Sequence, residues 1–282
     1  MKTIRHDGAI EGATDLTIAD LGAPIGQGIT ADVYAWTAGW VLKLFKASTP
    51  EAIVAREASK ASVVHAAGVP TPSVGDLLRL DDRWGLPYER VDGPSLQPAM
   101  FQGTEAALGA VQRLADLHLA LHARTVVASL GLPTYAEVLA EEIRRLGDQD
   151  AALREEVLAE LNTLPGGSAI CHGDFHLDNV LLAADGPKVI DWSRAGIGHP
   201  LADVASTVVL LGDLELPPLI PDRDAIEAMR PALTEAYLAR YLASWKGSAS
   251  DLGRWRRVVA AAWLAFGWEL ERERLLQIVA GS

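Results

Sequence analysis

The chain carries one stretch dense in groups able to move or hold protons and metal ions: His172-Gly173-Asp174-Phe175-His176-Leu177-Asp178-Asn179, followed by the apolar Val180-Leu181-Leu182. Twelve residues beyond Asn179 stands another carboxylate, in Lys188-Val189-Ile190-Asp191-Trp192. Phosphoryl transfer needs such a set. One carboxylate must sit at the attacking hydroxyl, where it orients the nucleophile and can accept its proton. A second carboxylate and an amide oxygen must hold Mg2+ against nucleotide phosphates, because that hard cation prefers oxygen. Asp174 is the candidate base; Asn179 and Asp191 are the candidate metal ligands. A hairpin between the latter two would bring them towards one ion.

The spacing His-x-Asp-x-x-x-x-Asn is that of a kinase catalytic loop, and Asp191 stands where a metal-binding Asp belongs. The short His-Gly-Asp piece alone is a weak signal. Its conjunction with Asn179 and Ile190-Asp191-Trp192 is a specific one. The same stretch admits a second chemistry. His172, Asp174, His176 and Asp178 alternate, so a strand would place them on one face as zinc ligands of a hydrolase. That reading leaves Asn179 and Asp191 without a role and is the lesser alternative. On the first reading, His172 stiffens the loop by hydrogen bonding.

The amino-terminal part supplies groups that suit nucleotide phosphates. Gly26-Gln27-Gly28-Ile29-Thr30-Ala31-Asp32-Val33 resembles a phosphate-covering glycine loop, with Ala31 in place of its third glycine. Glycines let main-chain N–H groups approach phosphate oxygens closely. The following Val33-Tyr34-Ala35-Trp36 reads as a strand, which argues against a dinucleotide fold, where a helix would follow. No Gly-x-x-x-x-Gly-Lys occurs. Lys43 is a lone cation in the apolar Trp40-Val41-Leu42-Lys43-Leu44-Phe45, and a buried ammonium needs a partner. Nucleotide phosphates and Glu57 are the expected partners. Glu51, on the same helix, could compete with Glu57, and an edge strand would let Lys43 point to solvent.

The elements that must position these groups can be read from periodicity. Short β-like runs fall at Leu16 to Ala19, Gly22 to Gly26, Val33 to Thr37 and Trp40 to Phe45. A helix starts at Thr49-Pro50-Glu51 and runs to about Ala67. Two further strands, Val74 to Leu80 and Trp84 to Val91, flank a turn at Asp81-Asp82-Arg83. Past Asp92-Gly93-Pro94 the pattern turns helical: Thr104 to His122, then two helices within Tyr135 to Leu164 around Asp148. A β-like interlude at Ser168 to Asp191 precedes helices from Leu201 onward. The expected fold class is α+β: an antiparallel sheet lobe with one helix over 1–91 and a mainly helical lobe over 92–282, meeting near Asp92-Gly93.

Composition narrows the function class. A formal charge of −12 argues against binding a nucleic-acid backbone, which needs a basic face. It would suit a polycationic substrate, though an acidic balance commonly serves only solubility. No run is long and apolar enough to span a membrane; Val258 to Trp268 reads as a buried helix. The charged Met1-Lys2-Thr3-Ile4-Arg5-His6-Asp7 lacks the apolar core of a signal peptide, and Cys171 is the single cysteine. Both features fit a reducing cytoplasm.

On these residues the sequence resembles the aminoglycoside phosphotransferase and choline kinase-like family, relatives of the protein kinases. Its most specific parts are Cys171 to Leu182, Ile190-Asp191-Trp192 and Gly198-His199-Pro200-Leu201-Ala202-Asp203; Gly68-Val69-Pro70-Thr71-Pro72 and Glu89-Arg90-Val91-Asp92-Gly93-Pro94 also fit. The resemblance implies a bilobal protein-kinase-like fold, ATP or another nucleoside triphosphate as co-substrate with Mg2+, and a small-molecule acceptor. It implies adenine hydrogen-bonded by the backbone near Glu89 and Val91, and Asp203 as a brace for the catalytic loop. His199 departs from the Asp common in relatives, which puts the local loop geometry in question. Only twelve positions separate Asp191 from Asp203 and no Ala-Pro-Glu follows, leaving no room for a regulated activation segment. The expected acceptor is a hydroxyl on an aminoglycoside-like or amino-alcohol molecule, entering beside the 133–164 helices and the later ones. Glu269 or Glu273 could meet an amine or be plain surface charges. A nucleotide-binding pseudokinase is the competing class.

Overall fold

The computed structural model describes residues 16–124, 131–214, 222–267 and 269–281, the side chains of 269 and 270 excepted. The charged amino terminus and the Glu269 side chain therefore lie outside the described residues. Five strands form one antiparallel sheet: β1 (Gly26–Gln27), β2 (Ala31–Ala35), β3 (Trp40–Phe45), β4 (Leu78–Leu80) and β5 (Arg83–Glu89), in the order β1-β2-β3-β5-β4. The strand period of two sorts β3 cleanly. Leu42 and Leu44 pack with Tyr34 and Leu80 on one face, while Phe45 packs with Ala31, Leu86 and Val54 on the other. Val54 belongs to helix α1 (Glu51–Ala66), so the face carrying Lys43 is the helix-covered one. Asp81 forms the tight β4–β5 turn with φ +51, a backbone region that Asp tolerates.

Three of the expected strands differ: of Val74 to Leu80 only Leu78–Leu80 is a strand, Val74 making an isolated bridge to Tyr88. Around Leu16 to Ala19 the chain makes a 3-10 turn, Ile18–Leu21, because Asp20 Oδ2 accepts hydrogen bonds from the Thr17 N–H and hydroxyl, both at 2.9 Å. Such reciprocal capping offers the backbone an alternative to a sheet ladder. Of Gly22 to Gly26 only the last residue lies in a strand, with the Ile25 N–H donating to the Val33 carbonyl at 2.8 Å just before it, and Gly22 turns the chain at φ +74.

The rest is mainly helical: α2 (Thr104–His122), α3 (Tyr135–Ile143), α4 (Ala151–Leu161), then a short β-rich passage with β6 (Ala169–Cys171), β7 (Val180–Ala183), β8 (Gly186–Val189) and β9 (Gly196–Gly198). Strands β6 and β9 pair antiparallel, and β7 and β8 form a second two-stranded sheet. Helices α5 (Pro200–Val208), α6 (Arg223–Ser244), α7 (Leu252–Leu264) and α8 (Glu269–Val279) follow, α5 running on into a π turn at Val209–Asp213. No described helix is long and apolar enough to cross a membrane. The apolar run from Val258 to Leu264 is buried within α7. Two compact units result: one holds the residues up to Gly93 together with Leu181–Ser193, the other Pro94–Val180 and the chain from Arg194 on. Within the first unit Gly93 is a steric necessity. It has φ +158, and a Cβ there would stand 2.2 Å from the Leu182 carbonyl oxygen.

His199 resolves the question its departure from Asp raised. It is the N-cap of α5, its Nδ1 accepting the Leu201 N–H at 3.2 Å, the contact an Asp cap would make. Its ring stacks on Trp255 with centroids 6.2 Å apart and meets Trp245 edge-on at 5.9 Å. Only neutral imidazole can accept that bond, and burial lowers the His199 pKa below its ordinary 6.5. The sign follows. The unfolded chain binds a proton at His199 more readily than the folded one, so this contribution is complete above about pH 6.5 and is lost as the pH falls below it. His199→Ala should cost about 1 kcal/mol at neutral pH. His199→Asp should keep the cap and flatten the acid side of a stability–pH curve, as read by denaturant unfolding between about pH 5 and 8.

Candidate active site

In the first unit Lys43 projects from β3 beneath α1. Its ammonium lies 2.8 Å from Glu57 Oε1 and 3.1 Å from Asp191 Oδ2. β3 is the third strand of five, so Lys43 is not on an edge. Glu51 is exposed at the start of α1, and Glu57, two turns on, takes the lysine. Tyr88 of β5 also donates to Glu57 Oε1, at 3.0 Å. Burial alone would lower the lysine pKa, but the charges of Asp191 and Glu57 outweigh it and hold the ammonium protonated. Burial raises the Glu57 pKa in spite of Lys43. This cation is thus desolvated, fixed and charged.

Asp191 has φ +62, a left-handed conformation uncommon outside glycine. Its neighbours fix it. The Val189 N–H donates to the Pro70 carbonyl at 2.8 Å, and the Trp192 indole N–H donates to Thr71 Oγ1 at 2.9 Å. The Val69-Pro70-Thr71 segment thus backs the metal-ligand candidate. Gly26 pairs with Val33 across the β1–β2 hairpin, and the Gly28 N–H closes the turn on the Ala31 carbonyl at 2.8 Å. Beside it Ile29 is 77% exposed. Asp32, inside the glycine stretch, is structural: buried, it takes Lys46 at 2.6 Å and Arg83 at 2.8 Å, and these two hold its pKa low. Glu89 ends β5, its Oε2 accepting from the Ser73 N–H and hydroxyl; Val91 lies two residues past the strand, half-buried.

In the second unit, residues 172–176 leave β6 as an irregular loop that ends in a 3-10 turn at Leu177–Asn179. His172 Nδ1 accepts the Asp174 N–H at 3.2 Å. The Asn179 amide nitrogen donates to the Asp174 carbonyl at 2.9 Å and lies 3.3 Å from Asp174 Oδ2 and 3.0 Å from His176 Nε2. With the nitrogen so engaged, the amide oxygen is the end left to serve as a ligand. Burial would raise the Asp174 pKa, but hydrogen bonding and charge from His176, then Arg194 and His172, bring it down to about 2. Asp174 is therefore ionised at any physiological pH.

Asp203, from α5, is fully buried and accepts the His172 N–H at 2.6 Å on Oδ2 and the Gly173 N–H at 2.7 Å on Oδ1. Several residues of this assembly escaped the sequence reading. His118 and His122 of α2 reach the same Oδ2 at 2.9 and 3.2 Å. Their i, i+4 spacing was visible and places both on one helix face. Arg194 grips Glu142 of α3 with two bonds, 2.9 and 2.6 Å, and donates to the Gly173 carbonyl at 2.8 Å, a bond Ser206 duplicates at 2.7 Å. Gly173 must be glycine: φ is +82, and a Cβ would meet the Arg194 backbone oxygen at 2.9 Å. Arg194 also lies over the Trp263 ring at 4.3 Å. In the same unit a pocket of about 220 Å³ is lined by Arg145, Gln149, Asp150, Ala265 and Arg272 among others, with Asp150 bound by Arg272 at 2.8 and 3.0 Å.

The alternating zinc set is not assembled, because residues 172–178 do not form a strand. Among the described residues the one group of three or more His, Cys, Asp or Glu gathered as metal ligands would be is His118, His122 and Asp203, which hydrogen bonds already explain. For magnesium, the chemistry of the donors fits: an oriented amide oxygen at Asn179 and a carboxylate at Asp191 are hard oxygen ligands. The two residues stand just before β7 and just after β8.

Comparison with solved structures finds the same fold. A thermostable mutant of aminoglycoside phosphotransferase APH(4)-Ia, in its apo form, superposes with a TM-score of 0.62 at 18% identity, over 92% of this chain and 94% of that one. A choline/ethanolamine kinase family protein from Mesorhizobium loti gives 0.57 at 17% identity, over 96% and 85%. Amicoumacin kinase in complex with AMP-PNP, Ca2+ and Ami gives 0.59 at 14% identity, over 94% and 90%. A search of curated proteins returns no match. The architecture is the bilobal protein-kinase-like α+β fold, with an antiparallel sheet unit bearing one helix and a mainly helical unit. The family model described as the phosphotransferase enzyme family matches residues 22–247, and the chain belongs to that family.

Proposed function

We propose that the protein transfers the γ-phosphoryl group of ATP, or of another nucleoside triphosphate, to a hydroxyl of a small polar molecule. The observation that carries this reading is the Asp174–Asn179 pair: an ionised carboxylate and an amide whose oxygen is left for a cation, on one loop. AMP-PNP bound to the structurally similar amicoumacin kinase supports a nucleoside triphosphate as co-substrate. In the proposed reaction the acceptor oxygen attacks the γ-phosphorus as the bond to the β–γ bridging oxygen breaks. The nucleoside diphosphate leaves with the electron pair, and the hydroxyl proton passes to Asp174. With a pKa of about 2, Asp174 is a weak base, so it chiefly orients the hydroxyl and takes its proton late, as a loose transition state requires.

Lys43, held charged by Glu57 and Asp191, offers its ammonium to the nucleotide phosphates. Gly26 and Gly28 let the β1–β2 turn approach them, and the backbone near Glu89 and Val91 meets the base. Asn179 and Asp191 would hold Mg2+, which neutralises charge developing on the phosphoryl oxygens. The catalytic loop, Asp191 and Lys43 thus divide the work among positioning, metal binding and phosphate binding, and the protein's expected setting is the cytoplasm.

The pocket between the α3–α4 junction and the α7–α8 junction is our candidate for acceptor recognition. Trp263, which adjoins it at Leu264, touches the Arg194 that grips Gly173. Its charged side chains are already paired among the described residues, Arg272 with Asp150 and Arg145 with Glu141, so the pocket's charge does not choose between acceptor classes.

Two outcomes are expected. In an ADP-release assay with an accepted substrate, Asp174→Ala should lose about 10²–10⁴ in kcat while Mg-ATP affinity, by calorimetry, stays within a few-fold. Binding of Mg-ATP with no turnover across sugars, polyols, hydroxy acids, amino alcohols and aminocyclitols would favour a pseudokinase. Because Asp174 stays ionised down to about pH 2, the pH–kcat profile should show no acid limb from it between about pH 4 and 7.

A further inference from the structure

The Asp203 carboxylate receives four N–H groups: Gly173 on Oδ1, and His172, His118 Nε2 and His122 Nε2 on Oδ2. Three of the four contacts crowd onto Oδ2, and an ionised carboxylate only accepts, having no proton of its own to give. A nitrogen 2.9 Å from such an oxygen must carry the hydrogen, so Nε2 of His118 is protonated. Burial, then the neighbouring His122, push the His118 pKa down to about 4 against the pull of Asp203. The ring is therefore neutral, its one proton is on Nε2, and Nδ1 is a bare lone pair.

A completely buried lone pair needs a donor, and Tyr237 of α6 supplies it, with its hydroxyl oxygen 2.6 Å from Nδ1. Thr207, beside this tyrosine, directs its own hydroxyl proton to the Phe175 carbonyl at 2.8 Å and so does not compete as a donor to the ring. Tyr241, one turn on, stands in the same relation to His122 Nδ1 at 2.7 Å. The two phenols and Trp245 stack along α6, with centroids 6.4 and 6.1 Å apart.

We propose that Tyr237 is a positioning residue for the phosphoryl-transfer site: it locks His118 as the Nε2–H tautomer, so that Asp203 holds the His172–Gly173 backbone and thereby aims the Asp174 carboxylate. The proposal rests on the reading of Asp174 as the group that meets the acceptor hydroxyl. Without the phenol, His118 has two poor choices. It can keep Nε2–H and bury an unsatisfied Nδ1, or move its proton and turn a lone pair on the carboxylate. Either loosens the loop that the four donors define.

Three readouts on the full chain test this. Long-range 15N–1H NMR should show His118 as a single Nε2–H tautomer between about pH 6 and 8; an Nδ1–H tautomer overturns the proposal whatever the protein catalyses. Tyr237→Phe should raise amide hydrogen exchange at His172 and Gly173 about tenfold relative to the α7 amides. It should lower kcat about tenfold, with the KM for ATP unchanged within about twofold. His118→Gln, whose amide can donate where Nε2–H did, should recover most of the rate that His118→Leu loses. A Tyr237→Phe protein with full kcat and unchanged exchange, whatever its thermal stability, overturns the positioning role. If no acceptor is ever phosphorylated, the reading of Asp174 fails, while the tautomer and exchange results still decide the role of Tyr237 in holding the loop.

Discussion

One buried carboxylate organises the helical unit. Asp203 has no solvent contact, and its charge survives because four N–H groups converge on it. Removing a single donor or acceptor from such a site strands a desolvated partner at about 1–3 kcal/mol. The loop carrying Asp174 has little regular structure of its own, so its shape is borrowed from this anchor. From there the dependence runs outward through α2, α5 and α6, three helices far apart in the chain. Gly173 shows how tight the arrangement is: its N–H meets Asp203, its carbonyl meets Arg194 and Ser206, and no side chain fits between.

The sheet unit solves a different electrostatic problem. Its charge cluster contains one cation and two carboxylates, Lys43, Glu57 and Asp191, with only Asp191 about a third exposed. Burial is the main reason the Glu57 pKa is raised, and the neighbouring charge of Asp191 adds to it. Tyr88 contributes a neutral hydrogen bond to Glu57 rather than a second cation.

Much of this was legible in the chain. β3 and α2 fall where alternation and helical periodicity put them, and α1 starts at the expected Pro-Glu signal. Local patterns were strong there and tertiary context agreed with them. The family and the fold followed from a short motif whose spacing is dictated by chemistry. What escaped falls into two groups. The 3-10 turn at Ile18–Leu21 depends on a Thr17–Asp20 contact that hydrophobic pattern does not register. Arg194, Glu142, Tyr237 and Tyr241 matter through partners 21 to 119 residues away in sequence. Such pairings are set by the packing of helices, and a single sequence carries no trace of them. His118 and His122 sat in between, since their shared helix face could be seen but not the carboxylate it faces.

The left-handed backbone at Asp191 bears on how variants of this protein should be interpreted. Asp and Asn tolerate that conformation better than other residues with a side chain, because a short polar group can hydrogen-bond locally. Asparagine at this position would therefore change the charge and little else. Alanine would change the charge and also ask the main chain between Val189 and Trp192 to adopt torsions it disfavours. Two variants that look equivalent in an assay would then differ in kind, one an electrostatic lesion and the other partly a conformational one.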